Sequence, residues 1–177
     1  MDKKEVNNKL DIKEIIMYIL IVIVILLIKK FIISPIRVNG ASMNDTLNNG
    51  DIMIMNIIGY KFQDIKRFDI VIVDEGSELI IKRVIGLPGD KIEYKNNTLF
   101  INGKKIEEHF LDKETNTEDF SLTTLGYEKI PKDMYLVLGD NRENSLDSRE
   151  IGLIKRKDIL GKIKLRIWPI NKFGPVK

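Results

Sequence analysis

ELIIKRVIGLPGDKIEYKNNTLFING, Glu78–Gly103, is the segment whose reading decides the fold. Its Ile- and Val-rich stretches are short, are broken by Gly, Pro and Asn, and alternate with the two-residue rhythm of strands rather than the wider spacing of helices. Asn96-Asn97 and Asn102-Gly103 stand where tight turns belong, because Asn and Gly accept the left-handed backbone that two-residue hairpin loops need. Lys91–Ile106 therefore reads as a small meander. Similar segments recur from Ile36 onward as DIMIMNI, FDIVIV, MYLVLGD and GKIKLRIW. The expected fold is mainly β, a β-barrel-like or packed-sheet domain. Residues 111–130 are polar and weakly patterned, which suggests a surface excursion.

The amino terminus follows a different rule. Ile15–Ile28 is an unbroken run of 14 apolar residues, and Phe31-Ile32-Ile33 extends it past Lys29-Lys30 to 19. At 1.5 Å per residue that is about 28 Å, enough for a hydrocarbon core if the two lysines reach toward the interface. A buried core helix would show a polar side, and this run has none. A cleaved signal peptide would be followed by small residues at its cut, and Ile33-Ser34-Pro35 does not fit. The expectation is one uncleaved transmembrane helix over residues 15–33. Charge does not orient it: Lys3, Lys4, Lys9 and Lys13 precede the span, and Lys29, Lys30 and Arg37 follow it.

With 177 residues, 44% of them hydrophobic, the chain has room for one such segment and one domain with a real core. The net charge of +3 is small and scattered, which argues against a nucleic-acid partner. The absence of cysteine excludes disulfides, thiolate catalysis and cysteine–zinc sites. His109, the single histidine, lies in the polar segment KKIEEHFLDKE without metal or catalytic spacing around it, and reads as a surface residue. No metal or other cofactor is expected.

Chemistry must then come from other residues. Ser42 follows Asn39-Gly40-Ala41, where a glycine two positions before the serine permits close backbone approach or an unusual turn. A plain turn fits the same residues. A serine hydroxyl is a weak nucleophile until something accepts its proton, and one poorly placed histidine makes a Ser-His-Asp arrangement a poor fit. Lys82 is the candidate base: the strand period puts Ile80, Lys82 and Val84 on one apolar face. Burial there disfavours the ammonium form and makes a neutral amine available. An edge lysine reaching to water remains the alternative. Finally, LGDNRENSLDSREIGLI, Leu138–Ile154, is dense in charged and polar side chains between two apolar segments. Either it is a solvated loop opened by the Gly139-Asp140-Asn141 turn, or its side chains form a fixed network.

The apolar span, Gly40-Ala41-Ser42-Met43, the Lys82 block LIIKRVIGLPGD and the Leu138–Ile154 block together resemble type I signal peptidases of the Gram-positive kind, over most of the chain. The Lys82-Arg83-Val84-Ile85-Gly86-Leu87-Pro88-Gly89-Asp90 pattern is intact. So is Gly139-Asp140-Asn141-Arg142-x-Asn144-Ser145-x-Asp147-Ser148-Arg149. In the serine block, Ser42-Met43-Asn44-Asp45-Thr46-Leu47, Asp45 replaces the family's proline. The resemblance implies a membrane-anchored serine endopeptidase that removes signal peptides with Ala-x-Ala cut sites from exported preproteins, including Sec- and Tat-exported ones. Ser42 would be the nucleophile and its N–H an oxyanion donor. Lys82 would be the general base and Ser145 its orienting partner, with Asp140, Arg142, Asp147 and Arg149 in support. The substrate walls would be Ile36, Val38, Gly40, Met43, Leu47, Ile80 and Ile81. Gly40 stands where some family members carry a serine that adds an oxyanion donor. The implied layout is a cytoplasmic tail over residues 1–14, the span, and an extracytoplasmic peptidase domain over 36–177 with a variable cap near 90–131. It implies localisation at the bacterial cytoplasmic membrane, in contact with its lipid. A specialised relative acting on few substrates, such as pilin-like or sporulation proteins, fits the same residues. A non-catalytic β-domain that binds peptides at the surface is the alternative from another class.

Overall fold

The structure is a computed structural model that describes residues 11–31, 33–56 and 64–176, with the side chains of 27–33 outside the described set. In chain order its elements are α1 (Ile12–Phe31), β1 (Ile33–Arg37), β2 (Ile52–Asn56), β3 (Ile70–Asp74), β4 (Leu79–Gly86), β5 (Ile92–Lys95), β6 (Thr98–Ile101), β7 (Lys104–Ile106), β8 (Phe120–Ser121), β9 (Met134–Leu138), α2 (Ser148–Ile151), β10 (Ile154–Lys155), β11 (Ile159–Trp168) and β12 (Gly174–Pro175). The larger sheet runs β1-β2-β11-β3-β4-β9-β10, with β12 paired to β11, and the smaller one runs β7-β6-β5-β8. Among the described residues β1 and β10 do not pair, so the architecture is one of packed sheets rather than a closed barrel.

Burial follows the alternation read from the sequence. Along β3, Ile70 and Ile72 pack on one face with Val38, Met43, Leu47, Met53, Met55 and Ile163. Val71 and Val73 pack on the other with Val84, Tyr135, Val137, Ile154 and Ile159. A strand covered on both faces has no solvated side, which is why Ile70–Val73 is apolar throughout. Each such buried aliphatic side chain contributes about 1.5–3 kcal/mol. A third cluster joins the two sheets: Ile85, Leu136 and Leu138 of the larger one meet Ile92, Tyr94, Leu99 and Ile101 of the smaller. The two expected turns are present, with Asn96, Asn97, Asn102 and Gly103 all at positive φ and the flanking strands in register at Lys95↔Thr98 and Ile101↔Lys104.

Three boundaries differ from the sequence reading. The helix begins at Ile12 and ends at Phe31, and Ile33 already belongs to β1, which carries Pro35 on an edge strand where no ladder N–H is needed. Residues 111–130 are not only a surface excursion. They supply β8 and a 3-10 turn at Leu122–Leu125, and Thr117, Leu122 and Ile130 are buried. Their spacing was too irregular to signal a buried edge. Among the described residues no helix is long and apolar enough to cross a membrane, and the span expected over residues 15–33 falls partly on side chains outside the described set.

Candidate active site

Lys82 lies in β4 opposite Val71, on the face that also carries Ile80 and Val84. It is 3% exposed. Its Nζ donates to Ser145 Oγ at 3.1 Å, and among the described residues it makes no ion pair. Burial pushes its amine below the ordinary lysine value; Asp147, Glu75 and Glu78 oppose this, and Arg149 adds to it. A buried amine without a carboxylate partner is suited to holding a free lone pair.

The register of β4 with β9, Arg83↔Leu138, brings Gly139 level with Lys82. A side chain at Gly139 would collide with Ser145 and with the Ser42 carbonyl oxygen, so glycine there lets three segments converge. The Ser42 loop is tied to this point: Asn141 N–H donates to Ser42 O at 3.0 Å, and Asn141 Nδ2 donates to Ala41 O at 3.1 Å. Gly40 has φ +93°, which a serine side chain would adopt only with strain. Asp45 leaves the loop without the family's proline, and hydrogen bonds hold it instead. Asn44 N–H donates to Ala41 O and Leu47 N–H to Met43 O, and Arg166 donates to Thr46 O. Among the described residues the Ser42 N–H has no acceptor, and no hydrogen bond joins Ser42 to Lys82.

The polar run forms a network. Arg149 grips Asp147 through two bonds of 2.9 Å and donates to Arg142 O at 2.7 Å. Asp147 also accepts from Gly139 N–H at 3.0 Å and caps α2. The other two supporting residues find their ion-pair partners outside the run. Asp140 receives Arg83 at 2.8 and 2.7 Å, with both side chains almost fully buried. Arg142 reaches into the smaller sheet, to Glu108 at 2.5 Å, Thr117 Oγ1 at 2.9 Å and Tyr94 Oη at 3.1 Å. Burial holds the Tyr94 hydroxyl well above its usual value, so it stays protonated and donates to Glu108 at 2.8 Å.

Ser42 and Lys82 line one cavity of about 540 Å³ with Ile36, Val38, Gly40, Met43, Ile80 and Ile81. Leu47 is not on that wall: it has no exposure and packs in the core beneath, against the Met43 cluster. Six lining residues were not anticipated as such: Arg37, Asn39, Ile72, Glu78, Leu79 and Leu146. His109 projects outward, with a side chain 83% exposed and Nε2 3.3 Å from the Glu107 carboxylate. No group of three or more potential metal ligands occurs among the described residues. The missed support residues are Arg83, Glu108, Tyr94 and Phe110, whose ring lies 3.9 Å from the Arg83 guanidinium. Arg83 had a readable signal, since an arginine inside an apolar strand must bring a buried partner. Glu108 and Phe110 had none, because they are far from the run in sequence.

Residues 12–168 match the family described as signal peptidase, peptidase S26. The chain is similar to signal peptidase IB of Staphylococcus aureus (strain COL), at 40% identity over 93% of this chain and 94% of that one. It is also similar to signal peptidase I P of Bacillus subtilis subsp. natto, at 41% over the full length of both. Among solved structures, a signal peptidase I from Enterococcus faecalis V583 superposes with a TM-score of 0.51 at 37% identity, covering 56% of this chain and 97% of that one.

Proposed function

Because this chain belongs to the signal peptidase family of peptidase S26 and is a serine hydrolase that processes signal peptides, we propose that Ser42 and Lys82 form its catalytic dyad. The observation that carries this reading is a buried amine, without a carboxylate ion pair among the described residues, that donates to Ser145 on the cavity it shares with Ser42. Neutral Lys82 accepts the Ser42 Oγ proton as the oxygen attacks the scissile carbonyl. The developing oxyanion meets the Ser42 N–H. Lys82, now an ammonium, returns its proton to the departing amine, leaving an ester on Ser42. A water then loses a proton to Lys82 and attacks the ester; Lys82 returns that proton to the departing Ser42 Oγ, which frees the signal peptide with its new carboxyl group and restores serine and neutral lysine. The 3.1 Å hydrogen bond that Nζ donates to Ser145 Oγ keeps the amine aimed through these steps.

The preprotein binds as an extended strand, with small Ala-x-Ala side chains in the shallow recess of Ile36, Val38, Met43, Ile80 and Ile81. Helix α1 anchors the enzyme in the bacterial cytoplasmic membrane, with the β-domain on the outer side. Support for the anchor lies in the unbroken apolar sequence Ile15–Ile28 that this helix carries. Its apolar side chains from Ile15 to Leu26 are also exposed on every side, and lipid is the partner that removes such a surface from water.

Cleavage of a preprotein by the purified full-length chain, with Ser42→Ala as control, is the direct test. Full activity in Ser42→Ala sinks the dyad. Protease added to intact spheroplasts should degrade the β-domain, and protection while a known external protein is digested would refute the orientation.

A further inference from the structure

Both arginines that brace the catalytic loop are held by one short segment of the smaller sheet's connection. Glu108 receives Arg142 at 2.5 and 3.3 Å, and Tyr94 and Thr117 complete the socket around the same guanidinium. Two residues on, the Phe110 ring lies 3.9 Å from the Arg83 guanidinium, and Phe68 packs on Phe110 from beyond. Between them, His109 points to solvent. Neither Glu108 nor Phe110 lines the catalytic cavity.

The two arms end on different sides of the dyad. From Glu108 the path runs through Arg142, whose Nε donates to Gly139 O at 3.1 Å and whose carbonyl accepts from Arg149 at 2.7 Å. Arg149 fixes Asp147, and Asp147 accepts from Gly139 N–H. Both chain neighbours of Ser145's turn are thereby pinned. From Phe110 the path runs through Arg83, the residue after Lys82, to Asp140, beside Asn141, which holds the Ser42 loop through Ser42 O and Ala41 O. We propose that Glu108 and Phe110 are positioning residues for the dyad: the smaller sheet serves as a template that sets the Ser42–Lys82–Ser145 geometry from outside the cavity. This rests on the dyad assignment above.

Displacements of about 1 Å in a reacting group cost on the order of a hundredfold in rate. Glu108→Ala and Phe110→Ala should therefore each lower kcat on a preprotein by about tenfold to a hundredfold, with KM within about threefold, since neither residue touches substrate. Glu108→Gln keeps an acceptor for Arg142 and should recover most of the loss, and Phe110→Leu, which keeps bulk but removes the aromatic face, should not. The arms meet where Arg142 N–H donates to Asp140 O at 3.0 Å, so the double variant's loss should fall short of the product of the two single losses. His109→Ala, in the middle of the same segment, should stay within about twofold. Turnover is measured on full-length protein per folded molecule, with thermal melting in parallel. Unchanged kcat in Glu108→Ala and Phe110→Leu with the fold intact overturns the proposal, as does a loss confined to KM. Wild-type turnover in Lys82→Arg overturns the dyad instead, and so separates the two failures.

Discussion

Two lysines flank Val71 in the larger sheet, Lys82 on β4 and Lys162 on β11, each in register with that valine. They are almost equally buried, at 3% and 4% exposure. Their partners differ. Lys162 reaches Asp69 Oδ2 at 2.6 Å and the Asp64 carbonyl at 2.8 Å, so its charge is matched where it is buried. Among the described residues Lys82 has only the Ser145 hydroxyl at 3.1 Å, and the carboxylate that acts on it most strongly, Asp147, is already gripped by Arg149. Burial alone therefore does not make a lysine a base. Burial with the counter-charge withheld does, and the network of the polar run is what withholds it.

The sharpest way to break this contrast is to give both lysines the same substitution. Lys82→Arg keeps a positive charge but cannot lose its proton in the working range, and should lower kcat by about 10²–10⁴-fold. Lys162→Arg keeps the one thing asked of that site, a cation beside Asp69, and should leave turnover per folded molecule within a few-fold. If both variants lose activity alike, the distinction between base and structural cation fails.

Replacing each lysine by methionine should move stability in opposite directions. Lys162→Met strands Asp69 and should cost about 3 kcal/mol, toward the low end for a broken buried pair because the Asp69 side chain keeps 22% exposure. Lys82→Met should raise the melting temperature at neutral pH. The folded pKa of Lys82 lies below its unfolded value, so the unfolded chain binds more protons between the two. Stability from this group then rises with pH across that window, and the penalty is fully present below the folded pKa. The gain from methionine should thus be largest at low pH and fade as pH approaches the unfolded value of about 10.5. Melting curves across pH would reject the argument if the Lys82→Met gain grew with pH.

The same two residues mark how much was legible in the sequence. Lys82 stands out because its strand is otherwise apolar with a clear two-residue period, and the Asn-Asn and Asn-Gly turns fixed the meander beside it. Lys162, in GKIKLRIW, alternates with apolar residues as a solvated lysine would, and only the return of Asp64 and Asp69 from distant chain reveals it as buried. The polar run was readable as a network but its pairing was not: Asp140 and Arg142 take Arg83 and Glu108, from positions 57 and 34 residues away. Local pattern reports which face a side chain occupies. It does not report which element will cover that face, and for that reason Leu47 was read as cavity wall although it lies in the core beneath.

The smallest expected effect is also the most specific to the difference between the lysines. Ser145→Ala removes the hydrogen bond that Lys82 Nζ donates at 3.1 Å while leaving the base itself, so kcat should fall by about tenfold rather than to background, equivalent to about 1.4 kcal/mol. The pH profile carries the sign. Wild-type turnover should fall as pH drops through the folded pKa of Lys82, since protonation removes the base, and this acid limb should lie below the ordinary lysine range because the pKa is lowered. An ammonium is a stronger donor than a neutral amine, so the Ser145 oxygen favours the protonated form, and its loss should move the limb to lower pH. Ser145→Ala should therefore be slower at its plateau yet hold that plateau further into acid. A limb displaced upward, or one that moved with His109→Ala instead, would mean that the titrating group is not Lys82.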